Sequence, residues 1–452
     1  MIRKFVTKNI SLPLYDYAKG LKVRKYYKFY KETLKWSRSE IKEYQFQKLK
    51  KLLIYAYENT NFYANRFKEN NLTIDSIKSI EDLSKIPPLT RTDVQANIDD
   101  LIAKNFNLKK AYKGASSGST GQPVFYYHDT NALAAGQAAH YLGWSLAGWE
   151  FGDRGLHIWG NPTVVNYEWK KFSSKLKAIF FNYDKFAAYK LIEAEKFEEL
   201  LYLIKKRDYI FLDGYTNAIY LFAKYVKEKD IKLRKFKYIF TTAENLHDYQ
   251  RDLIKDVLGP IYDEYACGEI LGVAYECKFC KKYHITDPHV VVEFDNKIVT
   301  NDGSKSLLIT DLDNYAMPLI RYQNGDLAVQ EKENNCKIRY NSISSISGRT
   351  SDIINLPEGG NLVVPSFFGS TLLKRLDNII QYQIERVRKD KIIVKLVVND
   401  NFNDTDKAKI SISLKKYLKD KINWELKIVD KIPINKSNKF KLLIDKTKNM
   451  NE

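Results

Sequence analysis

Proline and glycine are scarce in this chain. With 11 and 20 of them among 452 residues, fibrous and disordered classes are excluded. Cysteine is scarcer: four thiols in a chain without a leader read as reduced thiols or metal ligands, not disulfides. No leader is expected, because Met1-Ile-Arg-Lys runs into mixed polar sequence without an apolar core or cleavage site. Long hydrophobic runs are missing too. The most apolar window, Ala132 to Trp149, is broken by Gln137, His140 and three glycines, so no membrane span is expected. These absences point to the cytoplasm, its membrane face included.

What is present is a packed protein. Hydrophobic residues make up 44% and aromatics 13%, and the length exceeds what one core serves, so a large domain and a smaller one are expected. The 74 Lys+Arg against 55 Asp+Glu give a net charge of +19, which favours acidic partners such as nucleotides, anionic glycans or membrane surfaces. The lysines are spread along helical faces among Ile, Asn and Tyr. They read as a general compositional bias, and no nucleic-acid partner is expected.

Residues 1 to about 85 are helical and basic; Phe46, Leu49, Leu52, Leu53 and Ala56 recur at helical spacing within Tyr44–Phe67 as one buried face. Ile86-Pro87-Pro88-Leu89 ends that region. From about 110 to 345, short apolar runs (Leu156–Trp159, Tyr209–Leu212, Tyr238–Phe240) alternate with helical patterns, which indicates an α/β sheet core. Beyond about 350, strands are expected at Ile353–Ile354, Tyr382–Val387, Ile392–Val398 and Glu425–Val429. Helices are expected at Ser366–Ile380 and Asp404–Ile422, with a turn at Lys389-Asp390. This is a small α+β domain.

Five segments can carry chemistry, and each also has a bland reading. Ala115-Ser116-Ser117-Gly118-Ser119-Thr120-Gly121-Gln122-Pro123 offers backbone amides and hydroxyls to an anion; it is otherwise a surface turn, and it lacks the Gly-Lys-Ser/Thr ending of a Walker loop. Tyr265-Ala266-Cys267-Gly268-Glu269 pairs an aromatic that can stack on a purine with a carboxylate that can hold Mg²⁺; alone it is a strand end. Met317 to Asp326 contains Arg321-Tyr322-Gln323-Asn324-Gly325-Asp326, read as a turn presenting an acid to ribose hydroxyls, or as an ordinary polar turn. Gly348-Arg349-Thr350-Ser351-Asp352 is a hinge or a plain linker. In Pro433 to Lys441, Lys439 is an active cation or a solvated charge.

The order of these segments, more than any one of them, resembles the adenylate-forming superfamily. Within it the chain looks like the phenylacetate–CoA ligase branch and its CapK-like relatives encoded with surface-polysaccharide genes. Asn61-Phe62-Tyr63 and Ile86-Pro87-Pro88-Leu89-Thr90-Arg91 add to that likeness. The resemblance implies an α/β fold with a large N-terminal adenylate-forming domain, residues 1–348, and a small mobile C-terminal α+β domain, residues 349–452. It also implies roles. Ser116, Ser117, Gly118, Ser119, Thr120 and Gly121 would close over the ATP phosphates, and Tyr265 would lie against adenine. Glu269 would bind Mg²⁺, Asp326 would hold the ribose with Arg349 nearby, and Lys439 would approach the α-phosphate and the carboxylate. The physics agrees, since carboxylate attack on a phosphate gathers negative charge that cations must stabilise. A lysine on a mobile domain can leave after the first half-reaction. Three positions depart from the usual pattern: Asn438 in place of Gly before the late lysine, Ser351 at an often acidic hinge position, and Ala266 in place of Gly.

Cys277-x₂-Cys280-x₃-His284 has the spacing of part of a zinc site. Cys336 is the candidate fourth ligand, in a region where relatives with such a site carry cysteine. Filled by four protein ligands, the site would be structural; the alternative is three free thiols and an unrelated histidine. Cys267 is read as packed beside the active site, with no histidine as its base. His140 and Trp144 share a helix face and read as core. His247, after Ala243-Glu244-Asn245, resembles a wall of the family's acyl or nucleotide pocket.

The expected function is ATP-dependent activation of a small-molecule carboxylate to acyl-AMP, then transfer to CoA. A second reading transfers the acyl group to an amine or hydroxyl of a surface-glycan sugar. A third is a catalytically inactive basic binding protein.

Overall fold

The computed structural model describes residues 2–116, 124–160, 176, 178–188, 191, 194–300, 302–333, 335–356, 361–364, 378–418, 422–432 and 442–449. The expected phosphate-loop residues Ser117, Gly118, Ser119, Thr120 and Gly121, and Lys439, lie outside these.

The N-terminal region is helical as expected, with α1 (Val23–Thr33), α2 (Arg38–Asn59) and α3 (Asn61–Glu69). Ser37 starts α2 with a reciprocal capping box: its hydroxyl accepts from the Glu40 amide, and the Glu40 carboxylate accepts from the Ser37 amide at 2.7 Å. The periodic stretch is two helices, not one. Thr60 leaves helical geometry, and its hydroxyl accepts from the Tyr63 amide to cap α3. Leu49, Leu52, Leu53 and Ala56 are buried, but Phe46 is only half-buried. Gln45 takes the interior position because its amide donates to the Val290 carbonyl at 2.9 Å.

After the hairpin β1 (Tyr112–Ser116) and β2 (Val124–His128) comes α4 (Thr130–Ala147). Then follow β3 (Gly155–Trp159), β4 (Tyr183–Ala187), α5 (Ala194–Lys206), β5 (Phe211–Tyr215), α6 (Thr216–Glu228), β6 (Tyr238–Thr242), α7 (Asp248–Val257) and β7 (Ile261–Tyr265). The next strands are β8 (Ala274–Glu276), β9 (Tyr283–Ile285), β10 (Val290–Val299), β11 (Lys305–Asp311), β12 (Tyr322–Gln330) and β13 (Ser342–Arg349). One sheet orders them β10-β11-β12-β13-β9-β8-β7-β6-β5-β3-β4. The β4-β3-β5-β6-β7 half is parallel and the rest antiparallel.

Alternation along the parallel strands decides what each face meets. Leu156, Ile158, Leu212 and Ile239 pack into a core with Ile219, Phe222 and Ile254 of α6 and α7. On the other face, Phe211 and Phe240 pack with Trp144 of α4, Trp149 and Leu12. Close approach of α4 to β8 requires a glycine: a Cβ at Gly143 would lie 2.1 Å from the Tyr275 ring. Gly143→Ala is therefore expected to cost about 1–3 kcal/mol by overpacking, read as a lowered urea midpoint.

The C-terminal part forms β14 (Ile353–Asn355), β15 (Asn361–Val363), β16 (Ile379–Arg388), β17 (Lys391–Val398), α8 (Asp404–Leu418), β18 (Asn423–Ile428) and β19 (Leu443–Asp445). A four-stranded sheet, β18-β17-β16-β19, shares a core with α8 through Ile384, Val394, Leu396, Ile410 and Leu414, and Ile354 joins it. The Lys389-Asp390 hairpin turn is as expected. The expected helix at Ser366–Ile380 is corrected at its end, where Ile379 opens a strand. Two β-branched residues there suit a pleated, half-buried surface. The rest of that stretch lies outside the described residues, apart from Asn378 in a turn.

No described helix is long and apolar enough to cross a membrane.

Candidate active site and candidate metal centre

Tyr265 is the last residue of β7, and Glu269 stands in the connection to β8. Open α/β sheets bind ligands at such carboxyl ends of parallel strands. Ser116 is the last residue of β1 and leads directly into the glycine-rich segment.

The structure brings these distant residues together. The Ser116 hydroxyl donates to Glu269 Oε1 at 2.6 Å across 153 residues of sequence. The Tyr322 hydroxyl donates to the same oxygen at 3.1 Å, and Arg91 Nη1 stands 3.9 Å from it. His128 Nε2 donates to the Glu269 carbonyl at 2.8 Å, which fixes the backbone. Glu269 is buried, so its charge needs this company. Its Oε2 has no hydrogen-bond partner among the described residues. One oxygen is thus anchored and the other left for a cation, an arrangement that fits Mg²⁺ beside phosphates.

A second cluster surrounds Asp326. The sequence reads as a turn here, but Asp326 belongs to a strand. Between the pairs Leu308↔Gln323 and Ser306↔Leu327, β12 carries two more residues than β11, and Gly325 absorbs the bulge with φ +85°. The bulge re-aims Asn324 and Asp326. Tyr265 Oη donates to Asp326 Oδ2 at 2.9 Å, and Asn324 Nδ2 donates to both Tyr265 Oη and Asp326 Oδ2 at 2.7 Å. Arg349 ends β13 directly opposite Asp326 in register; its Nε lies 3.1 Å from Asp326 Oδ1, and its Nη2 donates to the Asn324 carbonyl at 2.8 Å. The Asp326 carboxylate first, and burial against it, leave the Arg349 guanidinium held more firmly charged than usual. Burial pushes the Tyr265 phenol well up, so it stays a donor.

Cys267 lies among these acids. Burial, then repulsion from Glu269 and Asp326, pushes its thiol well above the ordinary range. It stays a neutral thiol, as a packing role requires.

Arg91, His128, Tyr322 and Asn324 were assigned no role by sequence reasoning, although Arg91, Tyr322 and Asn324 fall inside the motifs that carried the resemblance. His247 caps α7, its amide donating to Gln250 Oε1 at 3.1 Å; burial pushes its imidazole down to about 4. Trp144 is core as expected, but His140 is not merely packed: its Nδ1 pairs with Glu264 at 3.1 Å.

The candidate metal ligands converge too. Cys277, Cys280 and His284 lie on the β8–β9 connection and β9, and Cys336 on the segment before β13. Their donor atoms all lie within 4.8 Å of one another. Cys277 Sγ and Cys336 Sγ are 3.8 Å apart, and Cys280 Sγ and His284 Nε2 are 3.6 Å apart. A tetrahedron with Zn–S of about 2.3 Å and Zn–N of about 2.0–2.1 Å has S–S edges of ~3.8 Å and S–N edges of ~3.5–3.6 Å. Two of the cluster's six edges already have those lengths, and the others lie within 4.8 Å. Lys281 makes the tight turn with φ +59°. His284 Nδ1 meets Ser342 Oγ at 3.0 Å, which leaves Nε2 for the metal. Burial pushes the His284 imidazole down to about 4, so above that pH the ring is neutral, as a metal ligand must be.

His289, Asp311 and Asp313 form another buried group, of a different kind. Both His289 nitrogens donate, Nδ1 to Asp313 at 2.8 Å and Nε2 to the Leu271 carbonyl at 2.9 Å, and Lys48 pairs with Asp313 at 2.7 Å. No nitrogen is left for a metal; the group ties α2 to the sheet.

Comparison with known proteins agrees with this fold. The family model described as the CapK C-terminal domain matches residues 357–446. The chain is 29% identical over 445 residues to Protein CapK of Staphylococcus aureus, covering 94% of each. It is 24% identical to a phenylacetate-coenzyme A ligase of Thermus thermophilus, covering 82% of this chain and 84% of that one. Among solved structures, 2-hydroxyisobutyryl-CoA ligase in its postadenylation state with 2-HIB-AMP superposes with a TM-score of 0.73 at 16% identity, covering 91% of this chain and 90% of that one. The fold is that of adenylate-forming ligases.

Proposed function

Because the chain is a CapK-like member of the adenylate-forming superfamily, related to its phenylacetate–CoA ligase branch, we propose that it joins a carboxylic acid to ATP as acyl-AMP and then passes the acyl group to CoA. In the first half-reaction a carboxylate oxygen bonds to the α-phosphorus, and the bond to the bridging oxygen breaks, its electron pair leaving with pyrophosphate. In the second, the CoA thiol displaces AMP.

The observation that carries this reading is the Ser116–Glu269 hydrogen bond. It sets the start of the glycine-rich segment on a buried carboxylate whose second oxygen, without a partner among the described residues, would be open to Mg²⁺. When bound, Mg²⁺ would neutralise charge on the phosphates. The chain's own groups do the rest. Ser116 and Tyr322 orient Glu269, and Asp326 and Arg349 form a paired edge for ribose hydroxyls. Tyr265 offers its ring to adenine. Ser117, Gly118, Ser119, Thr120 and Gly121 would cradle the phosphates. Lys439, carried by the small unit after residue 349, would stabilise the charge gathered at the α-phosphate.

The test is carboxylate-dependent ATP–pyrophosphate exchange across aryl, fatty, hydroxy and amino acids. Exchange with one class supports adenylation, and none with folded protein and Mg²⁺ favours the inactive binding reading. Asp326→Ala is expected to raise KM for ATP by roughly 10–100-fold, the value of a hydrogen bond to a charged group of about 1.5–3 kcal/mol. The change in kcat should be smaller; a KM for ATP that does not move would remove Asp326 from the ribose.

A second reading keeps the adenylate and changes the acceptor. The acceptor would then be an amine or hydroxyl on a surface-glycan sugar, a reading motivated by the resemblance to CapK-like proteins encoded with surface-polysaccharide genes and by the basic charge. AMP release with an amino sugar and without CoA would replace the CoA step. Structural zinc at Cys277, Cys280, His284 and Cys336 belongs to the same proposal. We place the reaction in the cytoplasm, where thiols stay reduced.

A further inference from the structure

A cavity of about 360 Å³ lies between α4 and the parallel sheet, on the face opposite α6 and α7. Aromatic rings of Trp144, Trp149 and Phe211 line it, yet so do His140, His157, Asp213 and Glu264. Pockets for hydrocarbon or aryl groups carry few polar atoms; this one carries two imidazole–carboxylate pairs. His140 Nδ1 stands 3.1 Å from Glu264, and His157 Nδ1 stands 2.5 Å from Asp213. Trp144 Nε1 donates to Glu264 at 3.1 Å.

In each pair Nδ1 faces the carboxylate, which leaves Nε2 to meet something else, and Asp213 Oδ1 is itself buried without a hydrogen-bond partner. Neither Nε2 has a partner among the described residues. The Trp149 indole N–H, on a ring only 5% exposed, has none either. The two imidazoles are half-buried, but the Trp149 N–H and Asp213 Oδ1 are buried, and buried donors and acceptors without partners are costly. A hydroxyl is donor and acceptor at once and can meet all of these groups, while the rings cover carbon. Glu264 precedes Tyr265 on β7, and His157 and Asp213 face each other from β3 and β5. The cavity thus runs toward the strand ends that hold Tyr265 and Glu269.

We propose that this cavity is the acyl pocket and selects a hydroxylated carboxylic acid over a hydrocarbon or aryl acid of the same size. The inference rests on the adenylation reading above and deepens it.

The test compares matched acids: propionate with lactate, butyrate with 3-hydroxybutyrate, and hexanoate with gluconate. For at least one pair, the hydroxylated member should support ATP–pyrophosphate exchange with a kcat/KM about 10-fold or more above its partner, since a site built to bond a hydroxyl discriminates strongly against its absence. Asp213→Leu should shrink that ratio. Trp149→Phe, which removes the indole N–H that has no partner among the described residues together with three ring atoms of a buried side chain, should shrink it while the circular dichroism spectrum stays that of the parent. A preference for the unsubstituted acids, or a ratio unchanged in both variants, overturns the pocket assignment while adenylation stands. Calorimetric titration of each acid without ATP separates the two claims. Saturable binding of a hydroxy acid that Trp149→Phe weakens, without exchange, sinks adenylation and keeps the pocket; neither binding nor exchange overturns both.

Discussion

Glu269→Gln is expected to slow carboxylate-dependent ATP–pyrophosphate exchange by roughly 10²–10³-fold, the usual cost of removing one preorganised electrostatic group. The amide keeps the size of the side chain, and its oxygen can still accept from Ser116 and Tyr322, whose bonds to Oε1 are 2.6 and 3.1 Å. The local structure should therefore survive, and the thermal midpoint should stay close to that of the parent. What the variant loses is the charge on the oxygen that has no partner among the described residues. The Mg²⁺ concentration for half-maximal rate should rise accordingly. An unchanged Mg²⁺ requirement would remove Glu269 from the metal and leave it a structural anchor for the loop after β1.

Cys280→Ser should abolish zinc binding and lower stability together. Purified parent protein is expected to carry one equivalent of zinc by atomic emission, and the variant close to none. Its stability should fall by about 2–4 kcal/mol. That is well below the roughly 10–16 kcal/mol that zinc contributes to a peptide with no other fold. Here the β8–β9 hairpin is also held by its own ladder and by β13. A strong chelator on the parent should reproduce the loss. Because His284 stays neutral above about pH 4, release of metal between pH 7 and 5 would report protonation of the thiolates, not of the imidazole. Zinc content equal to that of the parent would dismiss the site.

Periodicity and residue order exposed the architecture and the acids that the fold gathers at the candidate site, for physical reasons. Period-2 and helical patterns follow from burial, so the α/β core and the late α+β unit could be read directly. Tyr265, Glu269 and Asp326 belong to motifs whose residues stand within a few positions of each other in sequence. The misses share another cause. The bulge that turns an expected loop into β12 depends on the pairing with β11, which no local pattern encodes. Thr60 splits a continuous apolar face because its hydroxyl caps the next helix. Gln45 displaces Phe46 from the interior because a carbonyl 245 residues away needs a donor. Arg91 and His128 reach Glu269 only across the tertiary fold. His157 and Asp213 sit singly within the runs Leu-His-Ile-Trp and Phe-Leu-Asp-Gly, and only the parallel register sets them side by side.

The cross-strand pairing of Asp326 with Arg349 bears on how motion of the small unit could be recorded. Arg349 is still locked in the ladder of the large sheet, while Ile353 already belongs to a separate one. Thr350, Ser351 and Asp352 join the two ladders, and we propose them as the swivel, with Arg349 in the stator. A pair of fluorophores spanning the swivel, one on the exposed end of β10 and one on α8, should report every turnover as a change in transfer efficiency. A pair placed on β10 and β12 should stay silent throughout.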